Sequence, residues 1–300
     1  MSQGTLEYPR TGPFPNTRWR RPNRSGNTDP RTGVVSPPPL GAGFLCPLGR
    51  KCSTPRFPAT SMPAILEHQR FVVHIDVLGM SALVAKDPEL AWGLLSQLVE
   101  ARKDAHATSM TFLDTAETVT TPEHVQAVTF SDTVILFSRG AGLNDLRIIL
   151  VMATQMLSRA LHLCVPIRVG VAVGTFFVNL DESMYAGPAL IEAYHLGETA
   201  QWIGIVTSEE VYRRAIEAKL QSGSSDVVAP ACIPIDGGSR PGYAVNWPVT
   251  LRNSILAPLP LTAQQVYQGF ARYFGSFEFL DLRTRQKYEN TAAFMNARAQ

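Results

Sequence analysis

From residue 70 onward the spacing of apolar positions switches between a period of two and a period of 3.6, and the switches mark the elements. Residues 70–77 (RFVVHIDV) form a nearly continuous β-branched run and predict a strand. A helix is expected after Gly79. A second opens with Asp87 as N-cap and Pro88 at its first position, and runs to about Ala105. The polar stretch 109–123, with its threonines and Pro122, reads as a loop. Two strand-like runs, 124–130 and 133–138, meet at Ser131-Asp132 in a tight hairpin. Asn144 is placed to cap a long helix through Leu163, with Leu146, Ile149, Leu150, Ala153, Met156, Leu157 and Ala160 on one stripe. Pro166 ends it, and IRVGVAVGTFFV (167–178) predicts a strand. A helix is expected from about Pro188 to about Trp202, followed by the strand GIVT. The helix SEEVYRRAIEAKL comes next, with Thr207-x-x-Glu210 as a capping box. After a loop at 221–241, GYAVNW gives a strand. Two amphipathic helices, TAQQVYQGFARYFGSF and LRTRQKYENTAAFMNARA, end the sequence.

The order β-α-α-β-β-α-β, then α-β-α, predicts an α/β (α+β) protein: a ferredoxin-like split βαβ core with an appended unit. The expected division is a Pro/Arg-rich tail over 1–61, a core over 62–218, and a C-terminal strand and helices over 219–300 packed on that core. Arg147 and Arg159 interrupt the most apolar helix, far short of the roughly 18 uninterrupted apolar residues of a membrane span.

Two stretches break the apolar pattern in a way that needs a reason. FVVHIDVLGM (71–80) and VTFSDTVILF (128–137) each place one carboxylate, Asp76 or Asp132, in a β-branched run. An unpaired buried carboxylate is too costly to keep by accident. If the strands are neighbours, both carboxylates converge at one end of a sheet. Two hard oxygen ligands there, beside a strand-to-helix turn at Gly79 with free backbone N–H groups, suit Mg²⁺ or Mn²⁺ carrying a triphosphate. The bland alternative is that each aspartate caps a helix or a turn.

Charge adds one qualification. The 300 residues carry a net +2, but residues 1–60 hold nine Lys/Arg against Glu7 and Asp29, a local +7. The remainder has 18 basic and 23 acidic residues, −5, so the body is unsuited to binding nucleic acid over a broad surface. WRRPNRSG and SPPPLGAG have the composition of a disordered tail, without the apolar stretch of a signal peptide, and Met62 is a natural start just before the first strand. Cys46, Cys52, Cys164 and Cys232 show no pairing pattern and read as free thiols in a reducing cytoplasm.

HIDVLGMS (74–81), FSDTVILF (130–137), VPIRVGVAVG (165–174) and GPALIEAYHLGETA (187–200) together resemble the class III nucleotidyl cyclases over about residues 70–215. Within that fold the sequence is most similar to the bacterial pyrimidine nucleotide cyclases of Pycsar antiphage defence, and KYENTAAF (287–294) is part of the likeness. The resemblance implies two metal ions, Mn²⁺ or Mg²⁺, on Asp76 and Asp132, with the Val77 carbonyl completing one shell. It implies that the N–H groups of Leu78, Gly79 and Met80 cradle phosphate. The ribose 3′-hydroxyl would attack the α-phosphate in line and pyrophosphate would leave. Catalytic domains of this class form their sites between two copies, so a homodimer is implied. Substrate would be UTP, giving cyclic UMP, with CTP as the alternative, and the product would be read by a separate cyclic-nucleotide effector. No nucleic-acid or membrane partner is implied, and the location is cytoplasmic.

Several positions depart from the purine cyclases. Where they carry a base-reading lysine, four residues before the second aspartate, this sequence has Val128. Where they carry an Asn and an Arg on the helix after Gly187, it has Ile191 and His195, and Ile203-Gly204-Ile205 stands where pyrimidine cyclases often have Pro-Arg-Ile. Arg168 is then the candidate transition-state cation, with a strand-end salt bridge as its structural alternative. Tyr194 and His195 are candidates to meet base or ribose, and Phe71 to stack on the base, although strand alternation sets Phe71 opposite Asp76. A catalytically silent nucleotide sensor is the competing reading, and a nucleic-acid binder led by the basic arm a third.

Overall fold

The computed structural model describes residues 68–112, 117–222, 225–252 and 262–299. These all lie in the second of two units, 59–300, and the tail over 1–61, Cys46, Cys52 and the Met62 start fall outside the described residues. The chain runs through β1 (Gln69–Val77), α1 (Met80–Lys86), α2 (Pro88–His106), β2 (Ser109–Phe112), β3 (Glu117–Thr120), α3 (Thr121–His124), β4 (Val125–Phe130) and β5 (Thr133–Ser138). It continues through α4 (Leu143–His162), β6 (Ile167–Thr175), β7 (Phe177–Asn179), β8 (Met184–Ala186), α5 (Pro188–Thr199), β9 (Gly204–Thr207) and α6 (Glu209–Glu217). The last elements are β10 (Gln221–Ser222), β11 (Ser225–Asp226), β12 (Val228–Ile235), β13 (Gly238–Val245), α7 (Trp247–Arg252), α8 (Ala263–Tyr267), α9 (Ala271–Phe274) and α10 (Leu282–Ala299).

One mixed sheet of seven strands, in the order β12-β13-β9-β6-β1-β5-β4, carries the fold. β6-β1-β5-β4 is the expected split βαβ core, with every neighbour antiparallel, and β6 and β9 run parallel. Phe71, Val73, Ile75 and Val77 point to one face, where α4 supplies Ile149, Met152, Ala153 and Met156 and α2 supplies Leu94 and Leu98. Val72, His74 and Asp76 point to the other, which α5 crosses.

The structure differs from the sequence reading in places that have local causes. Residues 109–123 hold a small hairpin, β2–β3, and one helical turn rather than a loop. Residues 221–241 are mostly strand: β12 and β13 form a hairpin that extends the main sheet. Pro230 and Pro234 hide that pattern, yet β12 is an edge strand, where a missing N–H is tolerated. α5 stops at Thr199 because Ala200 turns extended and Trp202 and Ile203 leave the helix to be buried. Asp87 caps α2 as expected, accepting from Leu90 N at 3.0 Å. α4 begins a residue before Asn144, with Asp145 accepting from Gly142 N at 3.0 Å. Ser208, not Thr207, caps α6, and Glu210 instead pairs with Arg213 and Arg214.

The C-terminal unit is held to the core by α10. Asn290 Nδ2 donates to Gln201 O at 2.7 Å, and Ile203 N donates to Thr291 Oγ1 at 2.9 Å. Phe294 sets its ring against Trp202 at 4.6 Å. Thr291 is 1% exposed, so Thr291→Val strands the Ile203 amide without water and should cost about 1–3 kcal/mol in urea unfolding with an unchanged slope.

Candidate active site

The site is built from one row of residues running across the sheet. Phe130 on β4 lies opposite Thr133 on β5, Thr133 opposite Asp76 on β1, and Asp76 opposite Arg168 on β6. Residues paired in register share a face, so all four project to the α5 side at the same end of the sheet. Asp132 sits beside them in the β4–β5 turn, which Ser131 opens with a left-handed backbone, φ 54°. The two aspartates that break the apolar pattern are thus brought together by strand pairing.

Asp76 is only partly open to solvent, and its carboxyl is pushed up from its ordinary value. Burial is the main cause; Arg168 pulls the other way, and the charges of Glu198 and Asp132 add to the rise. Arg168 Nε donates to Asp76 Oδ2 at 2.8 Å, and the same guanidinium donates to Glu198 O at 2.9 Å and pairs with the Glu198 carboxylate. Asp76 Oδ1 has no protein partner among the described residues. A half-buried carboxylate with one free oxygen, feeling a second carboxylate, is a donor set that a divalent cation would relieve. Among the described residues there is no group of three His, Cys, Asp or Glu side chains placed to hold a metal. The carboxylates that act on this end of the sheet are Asp76, Asp132 and Glu198, and Glu198 is paired with Arg168.

One row further along the same face lie Val128, Ile135, His74 and Gly170. His74 is 9% exposed and meets Tyr194 of α5 edge-on at 5.2 Å; Tyr194 in turn packs on His195 at 5.3 Å. Burial, more than the neighbouring charges, holds the His74 imidazole below its ordinary value. Val128 is half-buried against the small cluster of Val72, Phe137 and Ala193.

Some expected roles find their residues elsewhere. Phe71 is fully buried on the opposite face, under the Arg214 guanidinium at 5.6 Å, and cannot stack on a base. Leu78 N already donates to Pro166 O at 2.8 Å, so that amide is not free for phosphate. The side chains of Leu78 and Met80 belong to the main core. Gly79 takes a left-handed backbone, φ 77°, and a Cβ there would lie 3.3 Å from the Phe274 ring, so the turn after β1 is closely covered by the C-terminal unit. Arg168 is in the site but engaged with Asp76 and Glu198, the salt bridge of its structural alternative. Sequence reading missed Glu198 and His74. Glu198 looks like any polar helix position, and His74 was hidden inside the strand run that carries Asp76.

Two clefts, of about 810 and 680 Å³, follow the other flank of α5 toward β13 and share Glu192, Leu196 and Arg240. Neither includes Asp76, Asp132 or Arg168.

No family model and no curated protein matches the chain. Solved structures that are similar include the catalytic core of a rhodopsin-guanylyl cyclase with converted specificity in complex with ATPαS (12% identity, 60% of this chain and 95% of that one, TM-score 0.42). Another is an adenylate/guanylate cyclase/hydrolase from Silicibacter pomeroyi (15%, 59% and 96%, TM-score 0.39). A third is a class III adenylyl cyclase-like ATP-binding protein from Pseudomonas aeruginosa (13%, 49% and 34%, TM-score 0.34). At such distances the function is read from the chain's own site.

Proposed function

We propose that the chain is a pyrimidine nucleotide cyclase, converting UTP to 3′,5′-cyclic UMP and pyrophosphate. The observation that carries the reading is the convergence of Asp76 and Asp132 at one sheet end beside the Gly79 turn. Two divalent ions, Mn²⁺ or Mg²⁺, held by Asp76, Asp132 and the Val77 carbonyl, would supply charge neutralisation for the triphosphate and activation of the 3′-hydroxyl. The chain's own contribution is placement. The β1–β5–β6 pairing fixes both carboxylates, and the α5 side of the sheet offers an apolar wall of Val128 and Ile135 for the base. Val128 has no hydrogen-bonding side chain with which to read a purine edge. The acting species in this proposal is a homodimer with its site between copies. It is supported by exposed apolar groups on the site's own face, Ile191 and Tyr194 of α5 and Phe130 at 81% exposure. The role is an antiphage second-messenger signal, with the product read by a separate effector in the cytoplasm. Among the described residues no helix is long and apolar enough to cross a membrane.

Incubation with equimolar ATP, GTP, CTP and UTP and Mn²⁺, with products identified by mass spectrometry, tests this. Cyclic UMP should dominate, with purine products rare. Cyclic CMP should trail by on the order of 10 to 150-fold, because uracil and cytosine differ only in donor and acceptor matching at the 4-position. Cyclic AMP or cyclic GMP as the main product would sink the pyrimidine reading and leave the cyclase standing. The silent-sensor reading draws on one observation, the engagement of Arg168 with Asp76 and Glu198. Tight nucleotide binding with no cyclic product would establish it instead.

A further inference from the structure

β9 is a short strand between two long ones, four residues against nine in β6 and eight in β13. It stops at Thr207, where Ser208 caps α6, and it meets β13 through Val206 and Thr207. Residues 238–242 of β13 run on with β12 on one side and, among the described residues, no strand on the other. The cleft of about 810 Å³ opens beside that overhang, between α5 and the first turn of α6, and the cleft of about 680 Å³ continues it along α5. Both have the size of small-molecule sites.

The walls of the larger cleft combine stacking surface with unpaired charge. Tyr212 of α6 and Tyr243 of β13 are half-buried and stack on each other at 4.2 Å, nearly parallel. Three charged side chains join them: Glu192 from α5, Glu209 from α6 and Arg240 from β13. None of the three makes a side-chain hydrogen bond or ion pair among the described residues. Partial loss of water raises the Glu192 carboxyl above its ordinary value, and no cation opposes the rise. Where β9 ends, Thr207 is 2% exposed and its hydroxyl also lacks a partner. The next glutamate along α6 is treated differently: Glu210 pairs with Arg213 and Arg214. Charges of both signs, held apart around one cleft, are what a ligand carrying both would join.

We infer that this cleft is a second ligand site, for a small zwitterion with an aromatic body, the class of the aromatic α-amino acids. The ligand's ammonium meets Glu192, its carboxylate meets Arg240, and its ring lies on the tyrosine pair. A plain anion is disfavoured, because two carboxylates line the cleft against one guanidinium. A plain cation leaves Arg240 unpaired. Such a ligand bridges α5 to the β12–β13 hairpin. Tyr194 and Glu198 stand two residues beyond Glu192 and Leu196, about 200° around the same helix. Those two meet His74 and Arg168 on the site's side. Occupancy therefore fixes α5 over the active site. The binding stands apart from the cyclase reading, and its effect on turnover rests on that reading.

Calorimetry on the full chain tests the site with L-phenylalanine, L-tyrosine and L-tryptophan, each beside its decarboxylated amine and its deaminated acid. The tightest of the three should exceed both of its analogues at least tenfold, the size of one charged contact left unmade. Arg240→Gln should weaken that amino acid at least tenfold and leave its amine within about threefold. Glu192→Gln should weaken it equally and leave its acid within about threefold. Neither change removes a bond from the free protein, so both should keep the wild-type melting temperature. At saturation the amino acid should shift the KM for UTP at least about fivefold in wild type, and not in Arg240→Gln at the same concentration. Failure of all three amino acids to bind, or equal affinity for an amino acid and its analogues, overturns the inference. Binding with an unchanged KM keeps the site and rejects its control of α5. Binding in a protein that makes no cyclic product keeps the site and rejects the cyclase.

Discussion

Asp76→Asn and Asp132→Asn should each reduce cyclic nucleotide formation by at least about 100-fold, some 2.7 kcal/mol of transition-state stabilisation, in a protein that still folds. Each change keeps the shape of the side chain and removes one of the two carboxylates proposed to hold the metal ions. For Asp76 the consequence for folding has a known sign. Its carboxyl holds a proton more tightly in the folded chain than in the unfolded one, so the fold loses stability as pH rises from the ordinary value of 3.8 to the raised one. The asparagine has no such slope, while Arg168 keeps its Glu198 partner. Thermal melts at pH 4 and pH 7 alongside turnover separate the two effects. More than a tenth of the activity remaining in either variant counts against a site built on paired carboxylates. Activity lost in step with melting temperature counts against it too.

Asp76 was legible as a charge where the strand pattern demands an apolar residue, and Asp132 as the acidic residue at the tight turn between two strand-like runs; the strand order then brings them together. The split βαβ core was legible for a similar reason: its strands are long β-branched runs bounded by glycine and proline. The β12–β13 hairpin was not, because Pro230, Pro234 and the Gly237-Gly238 turn carry loop chemistry in an edge position that tolerates it. Glu198 was invisible for another reason. On a helix a charged residue at a solvent-facing position looks the same as one aimed at a site, and only the crossing of α5 over the sheet tells them apart. Phe71 is buried in the opposite core, where the strand alternation read from the sequence sends it, and the stacking role considered for it fails for that reason.

Gly170→Ala should destabilise the protein by about 3 kcal/mol or more, a drop in melting temperature of roughly 6–12 °C for a domain of this size. Gly170 lies in the middle of β6, beneath α5. A Cβ added there would stand 1.9 Å from Ala193 O and 2.7 Å from Gly197 N, both of them backbone atoms that no rotamer change can move. Gly197 makes the matching approach from the helix, its own added Cβ falling 3.2 Å from Gly170 N. The helix has to lift off the sheet, opening the cluster of Val72, Phe137, Ala172 and Ala193. It would also carry Glu198 away from Arg168 and Tyr194 away from His74, so activity should fall further than stability alone explains. Gly93→Ala is the control with the opposite sign. Gly93 lies within α2 and an added Cβ meets nothing within 4 Å, so the gain in helix propensity should stabilise the chain by about 0.5–1 kcal/mol. Urea unfolding of both variants decides the matter. A Gly170→Ala protein within about 1 kcal/mol of wild type would mean that α5 does not rest on the sheet at this point, and the placement of Tyr194 and Glu198 over the site would fall with it.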